Sequence, residues 1–411
     1  MSRDQNIFVG LDIGTTKICC VVADVQPDGR VDIIGMGSRL SRGLKKGVVV
    51  DIEATRESMQ QAIEEAEMMA GVQIGPVYAG ISGAHIRCGN SHGVVAIRDR
   101  EVTEYDVQRV WDAARAQPIS ADREILHVIP QKYKVDTTEV FKEPLGMSGT
   151  RLEASVHIIT GAISSAQNII KCANLCGLDV MTLIAEPLAA AEAVLTADER
   201  EHGVCLLDIG GGTTDIAIFS KGYIQHTAVL AIGGDHLTND IAVGLRTPTW
   251  EAEQLKRTYG CALASMVSPD EVVEVPSIGE RKARSLARHI LAEILEPRVE
   301  ELFTLVNREI VRSGFEHDID AGIVLTGGSA ITEGMVELAE EVFNKPVRRG
   351  NPQGIGGLVD VVDSPAFSTS VGLVLYASRY ERRESSQYAV DDGGGVRSLF
   401  HRVRGWFSGI F

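Results

Sequence analysis

One short motif occurs twice in the chain, and this repeat constrains the fold more than any other feature. Residues 204–219 read VCLLDIGGGTTDIAIF and residues 8–22 read FVGLDIGTTKICCVV, so both copies contain Leu-Asp-Ile-Gly followed by Thr-Thr. Apolar runs flank a glycine turn in each copy, which is typical of a hairpin of two buried strands. Because the copies lie about half a chain apart, they predict two lobes that each begin with such a hairpin.

Each motif turn contains residue types that suit a phosphate group. Glycine lets backbone amides approach an anion closely, nearby hydroxyls can donate to it, and an aspartate at the strand end can hold hydrated Mg²⁺. Asp12 and Asp208 are the candidate magnesium residues, acting through water. The candidate phosphate ligands are Gly14, Thr15, Thr16, Lys17, Gly210, Gly211, Gly212, Thr213 and Thr214. A plain tight hairpin, whose aspartate only satisfies turn amides, is the alternative.

Two further glycine turns are candidates for the nucleoside end of the same ligand. Gly327, Gly328 and Ser329 follow an apolar strand, and such a turn suits close approach to an adenine or a ribose. Gly233 and Gly234 lead into a predicted helix, whose N-terminal amides can bind an anion.

Composition and charge exclude several classes of protein. A chain of 411 residues with 44% apolar residues is long enough for two or more domains. The formal net charge of −16 argues against a nucleic-acid partner, which needs a concentrated basic face. Seven cysteines without Cys-x-x-Cys spacing are typical of reduced thiols in a cytosolic protein. We expect neither a signal peptide nor a transmembrane helix.

The two motif turns and the later turn at Gly327–Ser329, in this order, resemble the actin, sugar-kinase and heat-shock ATPase superfamily. Further segments resemble the FtsA family of bacterial cell-division proteins, namely 129–136, 144–153, His157 and a basic amphipathic C-terminus. The resemblance covers residues 7–378 and resumes at 396. It implies an α/β fold of actin-like, duplicated ribonuclease-H-type domains around a nucleotide cleft, with an inserted α+β subdomain in the N-terminal lobe. ATP and Mg²⁺ are the implied ligands.

The resemblance also implies a division of the chain. In FtsA-like proteins an insert in this position contacts neighbouring subunits and later division proteins, although a lid without a partner would have similar sequence features. The expected parts are an N-terminal lobe at 1–83 and 163–203, the insert at 84–162, a second lobe at 204–379 whose last helix returns toward the first, a flexible linker at 380–395 and an amphipathic helix at 396–411.

The resemblance implies roles for several single residues, and each role has a purely structural alternative. Glu186 could position an attacking water, or simply be favoured by the positive end of a helix dipole. Glu253, Lys256 and Arg257 follow on a helix where the family contacts adenosine, and a solvated charged face would explain them equally well.

A basic region in the second lobe resembles the surface on which FtsA binds the C-terminal peptide of FtsZ. Its pattern predicts one helix over 280–295 and another that begins near Pro297. Arg298 is the candidate peptide ligand, with Arg281, Arg284 and Arg288 nearby. Ordinary surface salt bridges would use the same residues.

The C-terminal segment 396–411 predicts a helix that lies in a membrane surface. At 100° per residue its apolar side chains fall within an arc of roughly 140°. They are Val396, Leu399, Phe400, Val403, Trp406, Phe407, Ile410 and Phe411. The arginines Arg397, Arg402 and Arg404 lie outside that arc and suit anionic lipid. A terminal helix docked on its own protein is the alternative.

The combined prediction is an actin-like, ATP-binding cell-division protein with weak or no ATPase activity. It would polymerise into filaments on the cytoplasmic face of the inner membrane at the division site. There it would anchor the FtsZ ring and recruit later division proteins. Two alternatives share the fold: a small-molecule kinase, and a pilus or secretion assembly platform.

Truncation tests the membrane prediction. We expect the full chain to sediment with anionic liposomes and a truncation ending at Gly395 to stay in the supernatant, because only the tail supplies the apolar strip. Added salt should weaken sedimentation, since each arginine contributes about 1 kcal/mol through screened attraction. Equal sedimentation of the two proteins would exclude the anchor.

Overall fold

The computed structural model describes residues 6–140, 144–277 and 282–389. In chain order its strands are β1 (Ile7–Ile13), β2 (Lys17–Val25), β3 (Val31–Leu40), β4 (Leu44–Lys45), β5 (Val48–Val49), β6 (Pro76–Ile81), β7 (Arg87–Ala96), β8 (Arg123–Val135), β9 (Thr138–Val140), β10 (Arg151–Ala162), β11 (Asp179–Ala185), β12 (Val204–Ile209), β13 (Thr214–Ser220), β14 (Tyr223–Leu230), β15 (Val272–Val275), β16 (Arg284–Ala287), β17 (Ile323–Thr326), β18 (Val347–Arg349) and β19 (Ile355–Gly357). Its helices are α1 (Ile52–Ala70), α2 (Glu104–Arg115), α3 (Ile163–Leu175), α4 (Glu186–Val194), α5 (Ala197–His202), α6 (Gly234–Leu245), α7 (Thr249–Tyr259), α8 (Arg288–Ser313), α9 (Met335–Phe343), α10 (Val359–Val362) and α11 (Ser368–Ala389).

The two lobes share one strand order. The first sheet runs β3-β2-β1-β6-β11, with β19 added beside β3, and the second runs β14-β13-β12-β17-β18. In each sheet the motif hairpin is antiparallel, with a third antiparallel strand on one side and two parallel strands on the other. The motif therefore begins two domains of the same topology, and the predicted duplicated α/β fold is confirmed.

Helices cover both faces of the first sheet. Gly37 faces α1, where an added Cβ would stand 2.0 Å from a backbone carbonyl oxygen, and Gly10 faces α11, where it would stand 2.8 Å from one. Gly37 pairs with Cys20 and Gly10 with Val21, and neighbours along a strand point to opposite faces. The last helix in the described chain thus packs on the first lobe, although it follows the second lobe in sequence.

The insert is a separate antiparallel sheet with one helix. Its strand order is β7-β10-β8-β9, and α2 packs on β7 and β10. A capping box between Thr103 and Asp106 begins α2, and the indole of Trp111 donates to the hydroxyl of Tyr133 at 2.7 Å. These residues, with the apolar cluster around Val110, form a small core of the insert's own.

The prediction for the basic region 280–313 is wrong in two respects. Residues 284–287 form β16, paired with β15, where a helix was expected. The helix α8 then runs without a break through Pro297, where a second helix was expected to begin. Proline removes one backbone hydrogen bond, but the buried residues Leu295 and Val299 on either side belong to one core, and their burial keeps the helix continuous.

The end of the chain also differs from its prediction. Helix α11 continues to Ala389, through the first part of the expected linker at 380–395. The sequence there contains glutamates and arginines, which favour helix. The predicted amphipathic segment 396–411 lies outside the described residues. Within the described ranges, no helix combines the length and apolarity needed to cross a membrane.

Gly372 provides a test of the contact between α11 and α4. A Cβ at this position would stand 1.8 Å from the carbonyl oxygen of Ala189, so Gly372→Ala must push the two helices apart. We expect a cost of about 1–3 kcal/mol, seen as a lower midpoint of thermal unfolding. Gly75→Ala is the matched control, because a Cβ there meets nothing within 4 Å. Equal midpoints for the two variants would contradict this packing.

Candidate functional site

A cavity of about 710 Å³ opens between the lobes, beside the two motif turns. Its volume falls in the range of small-molecule and cofactor sites. The predicted site residues that line it are Asp12, Gly14, Thr15, Thr16, Lys17, Glu186, Asp208, Gly210, Gly211, Gly212, Thr213, Gly327, Gly328 and Ser329. The structure therefore brings both motif turns and the third glycine turn to one site.

The two motif turns have the same internal geometry. In the first, the amide of Gly14 donates to the carbonyl of Lys17 at 3.0 Å, and in the second the amide of Gly210 donates to that of Thr213 at 2.9 Å. Each bond closes the turn at the end of a buried strand. Each turn thereby presents its backbone to the cavity, as a phosphate-binding turn requires.

The turns also meet each other across the cleft. An added Cβ on Gly211 would stand 1.7 Å from the Oγ1 of Thr16, and one on Gly212 would stand 2.6 Å from the Oγ1 of Thr15. Real Cβ atoms do not approach other atoms so closely, so the meeting of the lobes depends on glycine here.

The two candidate magnesium residues are held by the first turn of α11. Ser370 donates its hydroxyl proton to Asp12 Oδ2 at 2.9 Å, and Thr369 donates to Asp208 Oδ2 at 2.5 Å. Lys17 Nζ lies 3.4 Å from Asp12 Oδ2. One helix end thus fixes the orientation of an aspartate from each lobe.

Carboxylates crowd the floor of the cavity. Burial raises the pKa of Asp208 to about 6, although the bond from Thr369 opposes the rise. Burial, together with the charge of Asp208, raises the pKa of Asp215 to about 8. Burial and the charges of Asp12, Asp215 and Asp208 raise the pKa of Glu186 well above its usual value. Such a cluster favours a bound cation, because a cation relieves the repulsion.

Asp215 and Ser82 are site residues that the sequence interpretation missed. Ser82, at the end of β6 in the first lobe, shares its hydroxyl proton between the two carboxylate oxygens of Asp215 in the second, at 2.7 and 2.9 Å. Both residues line the cavity. A signal was present in the repeat itself, since the position after Thr-Thr is charged in both copies, as Lys17 and as Asp215.

Three predicted ligands do not line the cavity. The hydroxyl of Thr214 is fully buried and donates to the carbonyl of Ile232 at 2.8 Å. Gly233 and Gly234 lie behind the second turn, where the amide of Gly234 donates to the carbonyl of Gly210 at 2.9 Å. These residues support the second turn from behind the residues that line the cavity.

The charged residues of α7 lie at the cavity, and one of them, Lys256, already has partners within the chain. Lys256 is buried and donates to the carbonyl of Gly234 at 3.0 Å and to the hydroxyl of Thr238 at 2.8 Å. It also pairs with Glu253 at 2.6 Å. Glu253, Lys256 and Arg257 all line the cavity. The alternative of a solvated charged face is wrong for Lys256.

The arginines of the basic region have partners within the chain. Arg298 pairs with Asp240 at 2.6 Å and also with Glu301. Arg288 pairs with two glutamates and lines the cavity between the lobes. Arg284 donates to a backbone carbonyl, and Arg281 lies outside the described residues. The peptide-binding role of Arg298 stays a prediction.

Two family models match the chain. The model described as "Cell division protein FtsA" matches residues 205–372, and the one described as "SHS2 domain inserted in FTSA" matches residues 83–160. The second range coincides with the inserted antiparallel sheet and α2.

Proteins described as "Cell division protein FtsA" match the chain over nearly its whole length. The protein of Pseudomonas aeruginosa is 53% identical over 415 residues, which cover 100% of this chain and 99% of the relative. The protein of Escherichia coli strain K12 is 45% identical over 412 residues, covering 98% of each chain. The protein of Neisseria meningitidis is 44% identical over 414 residues, covering 100% of each chain.

Solved structures share the fold at low sequence identity. The PilM-PilN type IV pilus biogenesis complex superposes with a TM-score of 0.65 at 17% identity, covering 92% of this chain and 99% of the other. MreB5 of Spiroplasma citri bound to ADP gives 0.55 at 17% identity, covering 95% and 99%. These likenesses show the actin-like α/β fold and no more, since fold does not imply function.

The raised pKa of Asp215 predicts a pH-dependent stability. The folded protein keeps a proton on Asp215 up to about pH 8, whereas the unfolded chain releases it near pH 4. The folded state therefore binds more protons between these limits, and this contribution to stability is lost as pH rises. Asp215→Asn cannot titrate, so from pH 5 to pH 8 its stability should rise relative to the wild type by roughly 1 kcal/mol or more.

Urea unfolding without Mg²⁺ at a series of pH values measures this difference. Asp320→Asn, in an exposed turn outside the cavity, is the matched control and should follow the wild type at every pH. The free energy of unfolding is compared between the wild type and Asp215→Asn at each pH. If their difference does not change with pH, Asp215 is not a buried, protonated carboxyl.

Proposed function

The chain belongs to the FtsA family of cell division proteins, and on that premise we propose that it binds ATP with Mg²⁺ in the cavity between its lobes. The observation that carries the proposal is the pair of matching glycine turns that meet at one cavity, each next to a buried aspartate. The actin-like neighbour MreB5 of Spiroplasma citri was solved with ADP and with AMPPNP, which supports a nucleotide in the same fold.

The residues present fit a magnesium nucleotide. Backbone amides of the two turns would donate to phosphate oxygens, and Lys17 would add a positive charge beside them. Asp12 and Asp208 would hold the ion mainly through water, which Mg²⁺ retains readily. A bound Mg²⁺ supplies positive charge that neutralises phosphate oxygens and buried carboxylates alike. The adenosine would lie toward Gly327–Ser329 and α7.

Weak or absent hydrolysis is consistent with the state of Glu186. This residue begins α4 and lines the cavity, where it could face an attacking water. Burial and the neighbouring aspartates raise its pKa and favour the protonated carboxyl until a cation relieves the repulsion, and only the ionised carboxylate can accept a proton from water. We therefore propose nucleotide binding, with closure of the lobes, as the main role of the site, and hydrolysis as a slow event.

We further propose that the chain forms filaments on the cytoplasmic face of the inner membrane at the division site. Each subunit would contribute a weak amphipathic anchor at 396–411, and alignment of many subunits would raise the avidity steeply. The segment lies outside the described residues, so its amphipathic sequence is the support. Anionic lipid and further copies of the chain are the partners here.

The remaining proposed partners are the FtsZ C-terminal peptide and later division proteins. Family membership supports partners in cell division, and the SHS2 insert at 83–160 offers a surface for some of them. Arg298 is the proposed ligand for the FtsZ peptide. Because Arg298 already pairs with Asp240, an acidic peptide would have to replace that carboxylate, which costs little at a partly exposed ion pair.

Calorimetric titration with ATP tests the proposal. The wild type should bind ATP more tightly with Mg²⁺ than with EDTA. Asp208→Asn should weaken the Mg²⁺-dependent affinity by about tenfold or more, because it removes a charge from the ion's site, while affinity in EDTA should fall much less. Asp240→Asn, outside the cavity, is the control and should bind like the wild type. No ATP binding by the wild type, or equal loss with and without Mg²⁺, would overturn the proposal.

A further inference from the structure

The inserted subdomain contacts the second lobe along one edge strand. Strand β14 is the outer strand of the second sheet, and side chains from the insert donate to its backbone carbonyls. Asn90 Nδ2 donates to Gln225 at 3.0 Å, Gln131 Nε2 donates to Ile224 at 2.8 Å, and the thiol of Cys88 donates to Thr227 at 2.7 Å. These three hydrogen bonds join the insert to β14, and one of the donors, Cys88, carries a chemically reactive thiol.

Cys88 begins a series of three chemical groups that spans the contact. Its Sγ lies 3.7 Å from Nδ1 of His226, and Nε2 of the same imidazole lies 2.8 Å from Oε1 of Glu309 on α8. A carboxylate that accepts from Nε2–H leaves Nδ1 free to take a proton. Thiol, imidazole and carboxylate in this order are the arrangement that activates a nucleophilic cysteine.

The surrounding charges act on the thiol in both directions. Burial raises the pKa of Cys88, but hydrogen bonding to His157 and His226 outweighs burial and holds that pKa well below its ordinary value. Arg312 pairs with Glu309 and so reduces the carboxylate's pull on His226. The carbonyl of Thr227 opposes ionisation, since it accepts only from the S–H form. In its thiol form Cys88 donates to Thr227, and it ionises by passing its proton to His226.

Cys88 also keeps part of its surface exposed. It is half-buried, and Asn90, on the same face of β7, lines a neighbouring cavity of about 290 Å³ in the same contact. Cys176 is likewise half-buried, but burial raises its pKa and no histidine adjoins it. The other cysteines are fully buried. Cys176 therefore serves as an internal reference that is also half-buried.

We propose that Cys88 is an oxidisable thiol that reacts with hydrogen peroxide, with His226 as its base. His226 takes the thiol proton, the sulfur attacks one peroxide oxygen, an S–O bond forms and the O–O bond breaks. The proton on His226 passes to the departing hydroxide, which leaves as water. Sulfur loses two electrons to peroxide, and the product is a sulfenic acid.

Oxidation of Cys88 also weakens the contact between the insert and the second lobe. The gap of 2.7 Å between Sγ and the Thr227 carbonyl oxygen leaves no room for an added oxygen atom. The product also lacks the S–H that donated to this carbonyl, so we expect β7 to shift from β14 and the neighbouring bonds of Asn90 and Gln131 to loosen with it. A peroxide signal would in this way reach the docking of the inserted subdomain.

Peptide mapping of the intact protein tests the assignment. With limiting hydrogen peroxide and dimedone as a trap for sulfenic acid, Cys88 should be labelled about tenfold faster than Cys176 at neutral pH. His226→Gln should slow Cys88 labelling by about tenfold and leave Cys176 unchanged. His92→Gln is the matched control, because His92 is an exposed histidine on β7, the strand of Cys88, and it hydrogen-bonds to Ser155. This substitution should change neither rate.

Two further measurements make the test independent of whether a variant folds. In the wild type, the rate of Cys88 alkylation by iodoacetamide should reach half its maximum at a lower pH than that of Cys176. Amide exchange over residues 223–230 should quicken after Cys88 is oxidised. Equal labelling of the two cysteines, or equal pH midpoints, overturns the reactive thiol, and unchanged exchange after complete oxidation overturns the loosening.

Discussion

The rest of the structure depends on one constraint: the residues where the two lobes meet must be glycines, because there is no room for a side chain. Gly211 and Gly212 approach the hydroxyls of Thr16 and Thr15 so closely that any side chain would part the lobes. Two turns of equal geometry can then face one cavity, each at the end of a strand buried in its own sheet. The duplication of the motif places one turn from each lobe at the same cavity, so a ligand that contacted both turns would hold the two domains together.

Buried charge is the second constraint, and it ties the cavity to the end of the chain. Asp12, Asp208, Asp215 and Glu186 are all buried around one space. Hydroxyl donors partly compensate them: two of these donors come from the first turn of α11, and Ser82 supplies another from the opposite lobe. A cation bound by these aspartates would act directly on the first turn of α11, the helix that precedes the segment 390–411 in sequence.

The insert shows how a polar contact serves a different purpose from a hydrophobic core. It has a small core of its own and covers the exposed edge of β14 with side-chain donors, which protects that edge from pairing with another chain. Bonds of this kind contribute modestly and are lost together when the surfaces part. The insert is also joined to the first lobe by apolar packing, since Ile86 and Ile159 are buried in the core of that lobe.

The sequence by itself determined the duplicated fold and most of the site, because a glycine turn between apolar runs depends on neighbours along the chain. Asp12, Lys17, Asp208 and the first two glycine turns were predictable for that reason. Only tertiary structure decided that Ser82, Thr369 and Ser370 serve the aspartates, since they lie far from them in sequence. Ser82 meets Asp215 where the two lobes face each other, and Thr369 and Ser370 are brought in by α11. The strand at 284–287 and the unbroken helix at Pro297 were decided likewise, because burial in a shared core outweighs local preference.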